Sequence, residues 1–184
     1  TGVCDPELPA GYSFDYINGE ILAGHAKVKD GRLLLDSGME YRLLVLPRQE
    51  SMRPELLEKL KSLVADGLTI LGPAPTCSPS LQNYPEADNK VKAIAAEMWG
   101  DAAAPIDSKD CREHKFGKGR VYSGCDIVSV LSEIGVGPDL SVPAGEEYPL
   151  FIHRTMADAE IYFVANPYEK ELVINPAFRV DGVM

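Results

Sequence analysis

The chain has 184 residues, 45% hydrophobic and 25% charged, the proportions of an ordinary globular protein with one main domain and at most a small appendage. Disorder, collagen-like repeats and coiled coils are excluded. A net charge of −10 repels phosphate backbones and anionic lipid, which sets nucleic-acid and membrane-surface roles aside, and no apolar run approaches the roughly 20 residues needed to span a bilayer.

The first dozen residues read as an irregular lead-in, and residues 17–26 as a short helix with Ile17, Ile21 and Leu22 on one side. Two β runs, 26–29 and 32–35, meet at Asp30-Gly31, a pair that favours the tight type I′ hairpin turn. Tyr41-Arg-Leu-Leu-Val-Leu46 is a continuous apolar run closed by Pro47, as expected of a strand buried on both faces of a parallel sheet. Pro54 suits a first helical position. Leu56, Leu57, Leu60, Leu63 and Val64 then repeat at helical spacing, and Gly67 stands where a helix cap belongs. With Leu68-Thr-Ile-Leu71 as the next buried strand, residues 41–71 form a βαβ unit.

Further on, residues 72–85 read as a proline-rich loop, and Val91, Ile94, Ala95, Met98 and Trp99 mark a second amphipathic helix. Residues 101–115 are polar and read as a mobile loop. Gly119-Arg-Val-Tyr-Ser123 is a third core strand, and Ile127, Val128, Leu131 and Ile134 make a third helix ended by Gly135. The pattern then turns to pure β at 150–154, 160–165 and 171–174. Strand–helix alternation followed by a meander predicts an open α/β sheet over 1–147 and a β extension over 148–184.

Several constellations bear on chemistry. Gly117-Lys-Gly-Arg120 has glycines at phosphate-loop spacing, but it precedes a strand instead of opening a helix, so it reads as a tight turn. Cys125 sits between a strand and a helix, the position of a nucleophile elbow. Its flanking positions hold Ser123 and Ile127 where the elbow needs glycines, and none of His25, His114 and His153 is placed as a base. A structural cysteine is the better reading. Cys4, Cys77, Cys111 and Cys125 contain no C-x-x-C pair, so a zinc or redox motif is disfavoured, and three disulfide pairings stay open. Asp15, in Phe14-Asp-Tyr-Ile-Asn18, is placed to cap the first helix. His153 and Arg154 end an apolar strand together, and a buried arginine there calls for a carboxylate partner or a ligand.

Phe14-Asp-Tyr-Ile-Asn18, Tyr41-Arg-Leu-Leu-Val-Leu-Pro47, Phe116-Gly-Lys-Gly-Arg-Val121, Ile152-His-Arg154 and Ile161-Tyr-Phe-Val-Ala-Asn166 follow one another in this order. Together they resemble the segment after the catalytic barrel in large multi-domain glycoside hydrolases similar to family 106 α-L-rhamnosidases. The resemblance implies a flavodoxin-like or amidotransferase-like α/β fold, an open, mostly parallel sheet with helices on both faces. It also implies following β-sandwich modules, with Phe178-Arg-Val-Asp-Gly182 as the start of one.

The implied activity is hydrolysis of terminal rhamnosyl or related linkages, by carboxylates on a barrel that 184 residues cannot also contain. No catalytic residue, metal or cofactor is therefore expected here. Asp15, Asn18, His153 and Arg154 are the candidate substrate-binding residues, placed by the resemblance at the mouth of the barrel's active site. Expected partners are the rest of a parent polypeptide and a carbohydrate, in a secreted or periplasmic setting; the start at Thr1 reads as processing or excision from something longer. The competing expectations are a free-standing cysteine hydrolase or amidotransferase using Cys125, and a self-sufficient carbohydrate-binding module. Aromatic residues at only 8%, mostly inside predicted strands, count against the module.

Overall fold

The computed structural model describes residues 6–180, so Cys4 and the Asp181-Gly182 end of the last motif lie outside the described residues. Residues 6–8 and 17–134 form one compact unit, and residues 9–16 and 135–180 form another. The division after Ile134 falls earlier than the 147/148 boundary expected from the strand pattern, and part of the lead-in belongs to the second unit.

In the first unit, helix α1 (Gly19–His25) begins two residues later than its apolar spacing predicts, because Asn18 and not Asp15 is its cap: Asn18 Oδ1 accepts the Ile21 amide at 2.9 Å. Strands β1 (Ala26–Lys29) and β2 (Arg32–Leu35) pair antiparallel with Lys29 opposite Arg32. Asp30 and Gly31 between them have φ of 51° and 75°, the left-handed pair that a type I′ turn requires.

The apolar run at 41–46 is not one strand. Glu40–Tyr41 (β3) pairs with β2, while Leu43–Val45 (β4) runs parallel to Thr69–Leu71 (β5), so the chain passes from one sheet to another at Arg42. Between β4 and β5, helix α2 (Pro54–Asp66) buries Leu57, Leu60, Leu63 and Val64, and Gly67 closes it at φ 128°. The βαβ unit is as the periodicity predicts.

Helix α3 (Glu86–Trp99) buries Val91, Ile94, Ala95, Met98 and Trp99, and the Trp99 indole donates to the Gly72 carbonyl at 2.9 Å. Helices α2 and α3 lie against each other, and both reach the strand Gly119–Ser123. The polar stretch expected as a mobile loop ends in a strand, β6 (Arg112–Phe116), which pairs antiparallel with Gly119–Ser123 (β7). The sheet order is β4-β5-β7-β6, the first three parallel. Gly117-Lys118 is the turn between β6 and β7, as read. A Cβ at Gly119 would stand 2.3 Å from the carbonyl oxygens of Val64 and Leu68, so only glycine lets β7 begin against the end of α2. Helix α4 (Ile127–Glu133) follows, capped by Asp126, whose Oδ1 accepts the Ser129 amide at 2.9 Å.

The second unit is all β. Strands β9 (Leu150–Thr155) and β10 (Glu160–Ala165) form an antiparallel hairpin. The third meander strand expected at 171–174 is absent: residues 171–176 have no regular structure. Ala177–Phe178 (β11) instead pairs antiparallel with Leu140–Ser141 (β8).

Candidate functional site

Within the second unit, strand parity sorts the side chains. Directly opposed residues of an antiparallel pair share a face, so Phe151, His153 and Thr155 of β9 lie with Val164, Tyr162 and Glu160 of β10 on one side. Leu150, Ile152 and Arg154 lie with Ala165, Phe163 and Ile161 on the other. His153 and Arg154, adjacent in sequence, therefore point to opposite faces.

His153 is the centre of a polar network. Its Nε2 lies 2.6 Å from Glu160 Oε2 and its Nδ1 lies 3.3 Å from Asp139 Oδ1. The ring stacks on Tyr162 with centroids 4.1 Å apart and planes 9° from parallel. Asp139, only 6% exposed, also accepts the Ser13 amide at 3.2 Å and is paired with the Arg179 guanidinium. Thr155 donates its hydroxyl to Glu160 at 2.8 Å, and the Tyr162 hydroxyl donates to the Arg179 carbonyl at 2.6 Å.

Burial pushes the Asp139 carboxyl up, but the Ser13 amide, Arg179 and His153 together outweigh it and hold the group below the usual aspartate value. The Thr155 hydroxyl, then His153, hold Glu160 low as well. Each ring nitrogen of His153 thus faces a carboxylate oxygen. Every strong group here is engaged, and a carboxyl held low is the reverse of what a general acid needs. The network joins residues 9–16, the residue just before β8, strands β9 and β10 and the segment after β11, which is the work of a structural clamp.

The other sequence candidates belong to different elements. Asn18 caps α1 in the first unit, and Asp15 is an exposed residue of the second. Arg154 is exposed, and its guanidinium donates to the His153 carbonyl at 3.0 Å. No buried arginine is found at this strand: the arginine paired with a carboxylate is Arg179, itself exposed but bound to the buried Asp139, and sequence reasoning missed both along with Glu160. The one available signal was parity, which places His153 opposite Tyr162 and beside Glu160.

In the first unit, an open cleft of about 530 Å³ lies at the carboxyl ends of β4, β5 and β7, where open α/β sheets commonly receive ligands. Leu46, Leu71, Gly72 and Ile127 give it apolar walls, and Arg48, Asp107, Lys109 and Asp126 also line it. Asp107 accepts from Arg48 at 2.6 Å, and Asp126 is committed to its cap. Cys125 lines the cleft too, yet it is no nucleophile: its sulfur is bonded to Cys111, with the two Cα atoms 4.2 Å apart. The cysteine-hydrolase expectation fails on that bond. Among the described residues no cluster of three or more His, Cys, Asp or Glu side chains could hold a metal.

A family model for alpha-L-rhamnosidases, glycoside hydrolase family 106, matches residues 2–184. The chain belongs to that family. This family 106 chain is 31% identical to the solved rhamnosidase from Novosphingobium sp. PP1Y, with a TM-score of 0.80 over 95% of its own length and 16% of that structure's. It is 32% identical to a Formosa agariphila protein carrying the provisional name beta-glucuronidase, over 96% of its own length and 14% of that protein's. It thus corresponds to one segment of glycoside hydrolases several times its size.

Proposed function

We propose that this chain is a non-catalytic accessory segment of a polysaccharide-degrading α-L-rhamnosidase-like enzyme, built on a flavodoxin-like α/β unit with a β extension. It supports a catalytic barrel carried elsewhere in the polypeptide and borders the barrel's substrate cleft. The observation that carries this reading is the state of the carboxylates. Asp139 and Glu160, which flank one histidine, are both held ionised by hydrogen bonds and cations, and Asp107 and Asp126 of the cleft are tied to Arg48 and Ser129. Asp139, Glu160 and Asp126, each held below its ordinary value, do not offer the proton that cleavage of a glycosidic bond requires of its general acid. The small share of each relative that the chain covers agrees with an accessory role. The Cys111–Cys125 disulfide supports a secreted or periplasmic setting, since such bonds persist in oxidising compartments.

The test is direct. The purified 184-residue chain, incubated with aryl α-L-rhamnosides and aryl β-glucuronides, should release no aryl alcohol above the blank. Turnover that scales with chain concentration and survives removal of host glycosidases would sink the proposal.

A further inference from the structure

The outer face of the β9–β10 hairpin is apolar and open. Leu150 is 63% exposed, Ile152 51%, Ile161 49% and Phe163 67%. The register makes this one surface: Ile152 stands directly opposite Phe163, Leu150 opposite Ala165, and Arg154 opposite Ile161. The four large side chains leave on the order of 400–500 Å² of surface in water, a contiguous patch of the size that on a monomer is often functional. Two strands alone are also marginal in water without something against their apolar face. The inner face has its cover in the His153 network; the outer face has none among the described residues of its own unit.

We infer that this face docks onto an apolar surface, bearing a carboxylate opposite Arg154, of a further domain of the same, longer polypeptide. The inference rests on the accessory reading above and adds where the contact is made. Two observations choose the occupant. More than four-fifths of each relative's length lies outside the segment that this chain matches, so each relative has ample chain to supply a covering domain. A second copy of this chain fits poorly. The face carries Arg154 and no carboxylate, so a two-fold contact would bring two guanidiniums into one small apolar interface with nothing to offset them. Arg154 thereby becomes a docking residue and not a sugar ligand.

The experiment has two arms. In the 184-residue chain, Ile152→Thr with Phe163→Thr keeps β-forming side chains while removing the apolar patch. Fluorescence of the dye ANS should fall at least threefold against the unmodified chain, and the melting temperature should stay within about 3 °C. A patch that binds no dye in the unmodified chain, or a double variant that unfolds, shows the face to be covered within the chain and overturns the inference. Sedimentation of the unmodified chain should give a monomer; a dimer abolished by the double substitution makes the occupant a second copy and overturns it too. In the second arm, the positions of the Novosphingobium rhamnosidase aligned with Ile152 and Phe163 should be buried by residues outside the matched segment. Solvent exposure there refutes the docking. An inactive chain with an exposed face there defeats only the docking, whereas a catalytically active chain defeats the accessory reading.

Discussion

Replacing Asp139 by Asn tests whether the His153 network is the clamp of the second unit. The substitution keeps volume but removes the charge, and it gives the side chain two N–H donors in a site where donors already approach from several directions. One oxygen of Asp139 faces Ser13, and the other faces His153 and Arg179. The Asn oxygen can serve one side only, so its amide confronts N–H groups on the other. Arg179, with its side chain 44% exposed, can turn to water and contributes little to the loss. His153, with its side chain 11% exposed, has no such escape. A buried charged hydrogen bond lost with a donor left facing a donor costs about 2–4 kcal/mol. Hydrogen exchange reads it: protection of the β9–β10 amides should fall at least about thirtyfold, since each 1.36 kcal/mol is a factor of ten. Trp99, the single tryptophan and buried in the first unit, reports by its fluorescence that the rest of the chain is still folded. The pH dependence has a definite sign. Asp139 and Glu160 are held low when folded, so the unfolded chain binds protons first as pH falls. Their contribution is complete above the unfolded carboxylate range of about pH 4–5 and is lost as pH drops through the lowered values. Protection in the unmodified chain should therefore decline below about pH 4, and less steeply in the Asp139→Asn variant. A change of less than threefold at neutral pH, or an unchanged acid profile, refutes the clamp.

Reducing the Cys111–Cys125 disulfide opens a crosslink of 14 residues and should cost the first unit about 3 kcal/mol, seen as a lower urea midpoint of Trp99 fluorescence in dithiothreitol; alkylation of Cys125 before reduction should not occur. Gly119→Ala places a Cβ 2.3 Å from two backbone oxygens and should destabilise the same unit by about 3 kcal/mol or more, measured by thermal melting. Asn18→Ala removes the α1 cap and should cost about 1 kcal/mol of stability; in a longer active enzyme it should leave kcat/KM within a factor of two, as a cap and not a sugar ligand.

The βαβ unit was legible because its signals are local: helical spacing from Leu57 to Val64, Pro54 at one end and Gly67 at the other. The Asp30-Gly31 turn was legible for the same reason. An apolar run such as 41–46 reads alike whether it is one strand or two, since burial on every side erases the period that would mark a change of partner. Strand β6 escaped because Arg112, Glu113, His114 and Lys115 look like loop residues; their order comes from pairing with β7. The network needed still more distant information. Asp139, His153, Glu160 and Arg179 come together only once two separate strand pairs have formed, and no local pattern in any of them announces the others.

Strand β6 has a further consequence for the life of the protein before it is folded and after it is stressed. A parallel sheet whose last strand is apolar offers an open row of amides and carbonyls on which another molecule can polymerise. Here the final strand runs antiparallel to its neighbour and presents a charged sequence at the rim, which makes stacking of a second sheet on that side costly. Arg112 is held there by Asp110 at 2.8 Å, just after a stretch joined to β7's end by the Cys111–Cys125 bond. The opposite edge, β4, is apolar, so in concentrated, heat-cycled solutions of this chain fibril growth should be slowed at the β6 rim and should start at β4 or at the exposed hairpin instead.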